Sequence, residues 1–386
     1  MKRLLLALVA AAVVVGGAAA VERMRDPEQR PRPELQRLLD ELVTDPGRAA
    51  PGATAYVAGP NGTWAGAAGL ADVDAGERMR PEARMRLESV SKLWTAALLL
   101  RLEEQGQLEL DDTVGELAPD LLPASPEVTL RQLLNHTSGL VDNNDISVDP
   151  SHYLAQVADP ALRAELTQAG GRLMRDPDYE FPARLMIRFV AALPLRSEPG
   201  SAYHYSNVGY QVAGLIAERV TGETLAALHE QELLEPLGLE RAAYDPHSRI
   251  SGAHVRGYAL APDGALVDTT RRVADLGANG GVVSDARDEG RFLEALFGGE
   301  LLSAASLRAL EQASPHEPYG LGTGIEQTDC GGTAYAHGGA GAGFTTSVYA
   351  TGDGSRVAVV LLNGRTPDGY SDLLAKNTAR RLLCLS

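Results

Sequence analysis

Apolar residues recur at helical spacing in some parts of the chain and form short uninterrupted runs in others. Leucines three and four residues apart over 35–42 predict an amphipathic helix. The apolar runs 53–58 and 63–69 flank the turn sequence Gly-Pro-Asn-Gly at 59–62, and this order predicts a β-hairpin. A longer helix is predicted over 91–104, where Leu and Ala recur on one face.

The remaining pattern is helical first and strand-like afterwards. From about residue 111 to 264, most segments have helical periodicity and are interrupted by Pro and Gly. Short apolar runs between Gly and Asp turns then predict four strands, over 319–325, 333–336, 344–350 and 357–362. A helix over 372–383 follows. We therefore expect an α/β fold of the α+β sandwich type, in which an antiparallel sheet built from both chain ends is flanked by helices and holds an all-helical insertion.

The N-terminus has the order of a secretory signal. A short basic segment with Lys2 and Arg3 comes first, and an uncharged apolar run over 4–15 follows it. Small residues at 16–20 then suit a signal-peptidase site. An uncleaved anchor is the alternative, and either interpretation places the protein outside the cytoplasm, secreted or extracytoplasmic. The predicted segments are a signal peptide over 1–20, a linker over 21–33 and one catalytic domain over 34–386, with an α/β part over about 34–110 and 265–386 and a helical part over about 111–264.

Composition limits the partners. The 386 residues are 44% hydrophobic, which excludes a disordered chain, and 35 Lys and Arg against 51 Asp and Glu give a charge of −16. Nucleic acid and anionic lipid are disfavoured as partners, because binding to phosphates depends on basic side chains. The basic residues are arginines except at Lys2, Lys92 and Lys376. A lysine retained in such a chain is a candidate for a role that requires loss of its proton.

The chain has two cysteines, Cys330 and Cys384, which lie 54 residues apart. In an exported protein, an even pair predicts a disulfide. Closing this loop would stabilise the fold by roughly 4 kcal/mol through loop entropy. Two free buried thiols are the alternative.

Several common site motifs are missing from the sequence. It contains no GxxxxGK phosphate loop, no GxGxxG nucleotide fingerprint, no HExxH or CxxC metal motif and no GxSxG elbow. We therefore expect neither a metal nor a cofactor.

A candidate nucleophile begins the helix predicted over 91–104, in the sequence Ser89-Val90-Ser91-Lys92. Residues three apart share a helix face, so the Ser89 hydroxyl and the Lys92 amine can meet. A neutral Lys92 would act as the base for Ser89, and the helix N-terminus would favour an oxyanion. The alternative is a helix cap with a surface charge.

Two further segments could complete such a site. Tyr205 lies two residues before Asn207, ahead of a predicted helix, where a phenolate could carry a proton and an amide could orient Lys92 and substrate. A glycine-rich stretch after the strand 333–336 would let a substrate approach the sheet edge, and it consists of His337, Gly338, Gly339 and Ala340. The alternatives are a helix N-terminal turn capped by Asn207 or Ser206, and a glycine-rich turn with a solvated histidine.

The three motifs, in this order and at these separations, resemble those of the penicillin-recognising serine hydrolases. This superfamily includes class C β-lactamases, D-alanyl-D-alanine carboxypeptidases and related esterases. The stretches 130–140 and 319–322 fit the same pattern, and the resemblance covers about residues 34–384. It is closest to secreted D-alanyl-D-alanine carboxypeptidases, which also carry a C-terminal cysteine pair. The resemblance implies a β-lactamase/transpeptidase-like fold.

The resemblance also assigns roles. It makes Ser89 the acylated nucleophile, Lys92 its base, Tyr205 the group that protonates the leaving group and activates water, and Asn207 a ligand of the substrate amide. His337 would stand in place of the lysine of the KTG motif. The oxyanion hole would consist of the N–H groups of the nucleophile and of Ala340.

The sequence departs from the carboxypeptidases at two positions. Those enzymes carry a hydroxyl residue where this chain has Gly338, and an arginine for the substrate carboxylate near the position of Gly324. The neighbouring Glu326 has the opposite charge. Protonation of His337 could supply part of the missing charge, so peptidase activity is expected to rise as pH falls.

Together these features predict an exported serine hydrolase that acts through an acyl-enzyme. The expected partner is a small-molecule or peptide substrate, namely a D-amino-acid peptide, a β-lactam or an ester, and a monomer is the default state. Two alternatives stay open: an esterase-like hydrolase of the same family without peptidase activity, and a non-catalytic cell-wall peptide-binding module.

Overall fold

The structure begins with a helix at Pro33 and ends with a helix that reaches Leu385, and both belong to one unit that extends to Ser386. The computed structural model describes residues 31–44, 50–176, 178–261, 264–271, 276–341 and 343–386. The predicted signal peptide and residues 21–30 of the predicted linker lie outside these ranges. Within them, none of the helices has the length and apolar character needed to cross a membrane.

Strands occur at both ends of this unit and helices in its middle. The strands are β1 (Gly52–Gly59), β2 (Gly62–Asp72), β3 (Glu77–Arg78), β4 (Met85–Arg86), β5 (Ala243–Tyr244), β6 (Tyr258–Leu260), β7 (Leu266–Asp268), β8 (Val282–Ser284), β9 (Gly324–Gln327), β10 (Thr333–Ala340), β11 (Thr345–Thr351), β12 (Val357–Leu362) and β13 (Gly364–Arg365). The helices are α1 (Pro33–Glu41), α2 (Ser91–Glu104), α3 (Val114–Leu117), α4 (Leu130–Leu134), α5 (Asn143–Val148), α6 (Pro150–Gln156), α7 (Pro160–Leu173), α8 (Ala183–Ala191), α9 (Asn207–Thr221), α10 (Leu225–His229), α11 (Glu235–Leu237), α12 (Ala286–Phe297), α13 (Ala304–Glu311) and α14 (Tyr370–Leu385).

The main sheet confirms the predicted assembly from both chain ends. Its seven strands lie in the order β3-β2-β1-β12-β11-β10-β9, and every neighbouring pair is antiparallel. Successive residues of a strand face opposite sides, so β1 contributes to two cores. Val57 packs in the core that α1 and α14 cover, whereas Tyr56 packs in the core that holds α2 and α12.

The helical part places the start of α9 beside the start of α2. Helix α9 packs against both α2 and α4, and its side chains are buried along most of its length. Two short strands, β5 and β6, also occur within residues 111–264. Strand β5 pairs with β8, and β6 pairs with β13 and β7. These pairings tie the end of the helical part back to the sheet region.

Two strand predictions were wrong in extent. The strand expected over 319–325 begins only at Gly324. Gly322, just before this strand, has φ +76°, which glycine adopts easily. A Cβ at this position would lie 2.7 Å from the Lys92 carbonyl oxygen. The chain therefore passes close to α2 here and does not form a regular strand. Strand β10 continues to Ala340, so the glycine-rich stretch belongs to the strand and not to a turn after it.

The disulfide joins Cys330 to Cys384, with a Cα–Cα distance of 5.5 Å. It links the turn between β9 and β10 to the last turns of α14. The predicted pairing is therefore present, and the first cysteine lies in a turn next to the strands.

Candidate active site

Ser89 lies in a single 3₁₀ turn, Glu88–Val90, which leads directly into α2. Lys92 follows one turn later and is completely buried. Its Nζ lies 3.0 Å from Ser89 Oγ. The predicted juxtaposition of hydroxyl and amine is therefore present, although Ser89 precedes the α-helix and does not cap it.

Three hydrogen-bond acceptors surround the Lys92 amine, and Ser89 Oγ is one of them. Nζ donates hydrogen bonds to Oδ1 of Asn207 at 2.7 Å and to the carbonyl oxygen of Asn279 at 3.2 Å. Both partners can only accept, so they use two N–H groups. In the neutral form, the lone pair is then directed to Ser89, and Lys92 can take up the proton of its hydroxyl.

Tyr205 contacts the same hydroxyl. Its O–H lies 3.1 Å from Ser89 Oγ, and Lys92 Nζ lies over its ring, 4.9 Å from the centroid. Burial raises the pKa of Tyr205 well above its usual value, and the negative charge of Asp142 adds to the rise. The expectation of phenolate character was therefore wrong for the resting site, because burial disfavours the charged phenolate.

Asn207 begins α9 and is held by a residue that the sequence did not reveal. Ser206 caps the helix by accepting a hydrogen bond from the Gly209 N–H. Asp142 accepts bonds from the Asn207 backbone N–H at 2.7 Å and from Nδ2 at 3.3 Å. Nδ2 also donates to Asn143 Oδ1 at 3.0 Å, so Oδ1 is left to face Lys92. Asp142 is itself the N-cap of α5, a position at which acidic residues are common.

His136 supports the tyrosine. This residue is fully buried, and its Nδ1 accepts a hydrogen bond from the Ser206 N–H at 3.1 Å. The rings of His136 and Tyr205 are 4.2 Å apart. Burial, with the charge of Lys92 next, holds the pKa of His136 well below its usual value. A neutral imidazole therefore packs behind the phenol.

His337 is neutral as well. Its Nδ1 donates to the Gly338 carbonyl at 2.7 Å, which leaves Nε2 to accept the hydroxyl of Tyr319 at 2.9 Å. Burial, with the charge of Lys92 next, lowers the pKa of His337 to about 3. The expectation that mild acid would charge His337 was therefore wrong, because the imidazole is enclosed and faces a lysine.

Two cavities meet at the candidate nucleophile, since Ser89 and Ala340 line both. The first has a volume of about 640 Å³ and includes Tyr205, Asn207 and Arg365 in its wall. The second has a volume of about 520 Å³, and its wall includes His337, Gly338, Gly339, Glu326, Asp372 and Lys376. A scissile bond at Ser89 could thus have one half in each cavity.

The second cavity carries more acidic than basic side chains. Glu326 accepts hydrogen bonds from Lys376 Nζ at 2.8 Å and from the Tyr349 hydroxyl at 2.9 Å. Asp372 adds a second carboxylate. The sequence singled out Lys376 as a retained lysine but did not place it in the site; α14 brings it to this wall from 50 residues beyond Glu326. Since Glu326 already neutralises this lysine, a substrate carboxylate would meet a net negative wall.

Comparison with known proteins shows similarity over most of the chain. The family described as Beta-lactamase matches residues 35–382. Esterase EstB of Burkholderia gladioli is 34% identical over 183 residues, which cover 46% of this chain and 43% of EstB, so the match spans less than half of that relative. Penicillin-binding protein 4 of Amycolatopsis lactamdurans is 28% identical over 303 residues, covering 72% of this chain and 71% of the relative.

Solved structures share the fold over most of the chain. A D-stereospecific amidohydrolase from Streptomyces sp. has a TM-score of 0.71 at 28% identity, with 86% of this chain and 95% of that chain covered. A D-amino acid amidase from Ochrobactrum anthropi SV3, complexed with L-phenylalanine amide, has a TM-score of 0.74 at 23% identity, with 90% and 96% covered. At that identity, the second match supports the fold alone.

Proposed function

Since the chain belongs to the Beta-lactamase family, we propose that it is a serine hydrolase that forms an acyl-enzyme on Ser89. The observation that carries the proposal is the position of one hydroxyl between two proton-transfer groups. Ser89 Oγ lies 3.0 Å from Lys92 Nζ and 3.1 Å from the hydroxyl of Tyr205. Distances in this range allow general acid–base catalysis.

In the acylation step, the Ser89 oxygen attacks the substrate carbonyl while its proton moves to the neutral amine of Lys92. The carbonyl oxygen becomes an oxyanion, for which the N–H groups of Ser89 and Ala340 are the proposed donors. Collapse of this intermediate breaks the bond to the leaving group, which takes the proton of Tyr205. Lys92 is then an ammonium and Tyr205 a phenolate.

Deacylation returns both protons. The Tyr205 phenolate, beside the Lys92 ammonium, takes a proton from water, whose oxygen attacks the acyl carbon. Ser89 Oγ leaves with the proton of Lys92, and the product is the free acid. The phenolate thus exists only between the two steps, which agrees with the high pKa of the resting tyrosine.

The proposed substrates are esters and amides whose leaving group carries no carboxylate. The second cavity favours them, because Glu326 and Asp372 outnumber Lys376 there. The absence of a hydroxyl side chain at Gly338 points the same way. EstB is named as an esterase and the Streptomyces protein as an amidohydrolase, and both agree with this substrate class.

A second candidate is D-alanyl-D-alanine carboxypeptidase activity. Lys376 favours it, because this lysine lines the second cavity and could exchange Glu326 for a terminal carboxylate. We further propose that the protein acts outside the cytoplasm, which the Cys330–Cys384 disulfide supports.

A substrate panel tests these proposals. We expect a short-chain p-nitrophenyl ester to be hydrolysed faster than a cephalosporin or a D-Ala-D-Ala peptide, with the ester activity lost in Ser89→Ala. The C-terminal amide should be processed faster than the free-acid peptide across pH 5–8, because the wall of the second cavity is net negative and the pKa of about 3 keeps His337 neutral. A strong preference for the free acid would instead favour the carboxypeptidase, and its loss in Lys376→Met would identify the cation.

A further inference from the structure

Glu88, the residue directly before Ser89, has an unusual backbone conformation. Its φ is +52°, in the left-handed region that glycine adopts without strain and a side chain does not. Strained residues persist where the surrounding structure holds them, and they cluster at functional sites. The presence of a glutamate here therefore calls for a functional explanation.

The carboxyl group of Glu88 is enclosed but has no hydrogen-bond partner for one of its oxygens. The residue is only 6% exposed, and Oε1 is buried without a donor in the described part of the chain. A buried carboxyl group without such bonds is costly. The residue also lines the first cavity together with Ser89. Oε1 itself is enclosed, so a ligand in that cavity would donate to the other carboxyl oxygen, Oε2.

Glycine at 341 makes room for this carboxyl group. A Cβ at that position would lie 2.1 Å from Glu88 Cδ, so any larger residue would displace the carboxyl. Gly339 similarly allows β10 to approach the backbone before the nucleophile, since its Cβ would lie 2.2 Å from the Leu87 carbonyl oxygen. The glycines at 339 and 341 therefore leave space for the Glu88 carboxyl group and for the backbone before the nucleophile.

The cations around Glu88 do not satisfy it directly. Arg86 directs its guanidinium to the carbonyl oxygens of Asp245 and Ser248, at 3.2 and 3.1 Å. Lys92 is bound to the active-site side chains, and Arg365 is an exposed residue of the cavity wall. Burial raises the pKa of Glu88 to about 7, although these three cations oppose the rise. The group can therefore ionise near neutral pH when a ligand donates to it.

We propose that Glu88 is a specificity-determining residue that binds the protonated amino group of an aminoacyl ester or amide, next to the carbonyl that Ser89 attacks. The inference rests on the proposed function and adds the class of the acyl group. Glu88 adjoins the nucleophile in the chain, so its ligand lies close to the scissile carbonyl, where an α-amino group stands. An ammonium supplies both the positive charge and the hydrogen-bond donors that the carboxylate lacks.

The test compares two substrates that differ only in the amine. The two substrates are methyl propionate and alanine methyl ester, the latter as whichever enantiomer reacts faster. Both are assayed at pH 7, below the usual α-amino pKa of about 7.7–8.0, so that the amine is mostly protonated. Glu88→Gln should lower kcat/KM for the alanine ester about tenfold to a hundredfold, since a charge-assisted hydrogen bond is lost. The same variant should lower kcat/KM for methyl propionate at least about fivefold less than it does for the alanine ester. An equal loss on both esters, or no loss on either, would overturn the proposal.

A binding measurement separates this inference from the proposed function. In Ser89→Ala, calorimetry should show that alaninamide binds at least about tenfold more tightly than propionamide, and that Glu88→Gln in this background abolishes the difference. This result would support the ammonium site even if neither ester were hydrolysed. Equal affinity of the two amides in Ser89→Ala would overturn it, even if ester hydrolysis by Ser89 were established.

A second variant controls for folding. Glu88→Gly removes the strained side chain and should raise Tm by about 1–4 °C. It should nevertheless lose the same preference for alanine methyl ester as Glu88→Gln does. A Glu88→Gly protein that kept the preference would show that another group binds the amine.

Discussion

Asp142 accepts hydrogen bonds from both the backbone N–H and the side-chain amide of Asn207, at 2.7 and 3.3 Å. This pair of contacts fixes which end of the Asn207 amide faces Lys92. The carboxylate thereby positions the acceptor that holds the Lys92 amine against Ser89. We regard Asp142 as a positioning residue, since it acts on the nucleophile through Asn207 and Lys92.

We expect Asp142→Asn to lower the acylation rate about tenfold to a hundredfold, because a charge-assisted hydrogen bond to Asn207 is lost. Asparagine caps helices as well as aspartate does, so α5 should stay intact. The acylation rate is measured by stopped-flow with a p-nitrophenyl ester. Asp149→Asn, at the N-cap of α6, is the matched control and should keep the wild-type rate. Equal rates in the two variants would contradict the positioning role.

Lys92→Arg should abolish acylation as thoroughly as Lys92→Ala. Arginine keeps the positive charge but does not lose its proton in proteins, so it cannot accept the proton of Ser89. We expect a loss of about a hundredfold or more in kcat/KM for a short-chain ester, with far-UV circular dichroism to check folding. A Lys92→Arg enzyme with near-normal activity would show that Lys92 supplies charge and is not the base.

Glu289 makes stability depend on pH. It is fully buried, it accepts a hydrogen bond from the Trp94 indole N–H at 2.9 Å, and burial raises its pKa to about 8. Because the folded state then binds a proton more tightly than the unfolded state, this carboxyl group destabilises the protein as pH rises from about 4.5 to 8. Glu289→Gln keeps an acceptor for Trp94 and should remove that effect.

Urea unfolding at several pH values measures the difference. We expect Glu289→Gln and wild type to have similar free energies of unfolding at pH 5. At pH 8.5 the variant should be more stable, by on the order of 3–5 kcal/mol. A gap that stays constant between these pH values would mean that Glu289 does not titrate in this range.

Reduction of the Cys330–Cys384 bond should lower Tm without loss of ester hydrolysis. The bond closes a loop of 54 residues and links the turn between β9 and β10 to α14, and neither cysteine lines the two cavities at Ser89. By loop entropy its removal costs up to about 4 kcal/mol. Scanning calorimetry with and without reductant measures the shift, and the Cys330→Ser/Cys384→Ser double variant should match the reduced protein. Two thiols that are alkylated in the native, unreduced protein would contradict the pairing.

The sequence alone predicts the contact between site residues that are close in the chain, and it shows the order of the site motifs. The Ser89–Lys92 pair follows from helical spacing, because a single turn of backbone brings residues three apart together. Tyr205, Asn207 and His337 can be nominated from motif order, because each stands in a recognisable short segment. The sequence underestimates the extent of β10, because glycines such as those at 338 and 339 are more common in turns than in strands. In the structure, both glycines pair with β11, and this pairing keeps them in the strand.

Other contacts depend on segments that are distant in the chain. The bond between Asp142 and Asn207 joins residues 65 apart, and the bond between Glu326 and Lys376 joins residues 50 apart. No local pattern predicts such pairs, since they arise when helices and strands pack. The neutral state of His337 also depends on its enclosure by the fold. The strained φ of Glu88 is likewise visible only in the structure.

The central claim is that Ser89 carries the acyl group during turnover. The most direct measurement is intact-protein and peptide mass spectrometry after incubation with a fluorophosphonate and, separately, with a rapidly quenched p-nitrophenyl ester. We predict a single adduct on the peptide that contains Ser89, with no adduct in Ser89→Ala and a marked decrease in Lys92→Arg. Stoichiometric labelling of Ser89→Ala, or an adduct on another residue of the wild-type protein, would contradict the account.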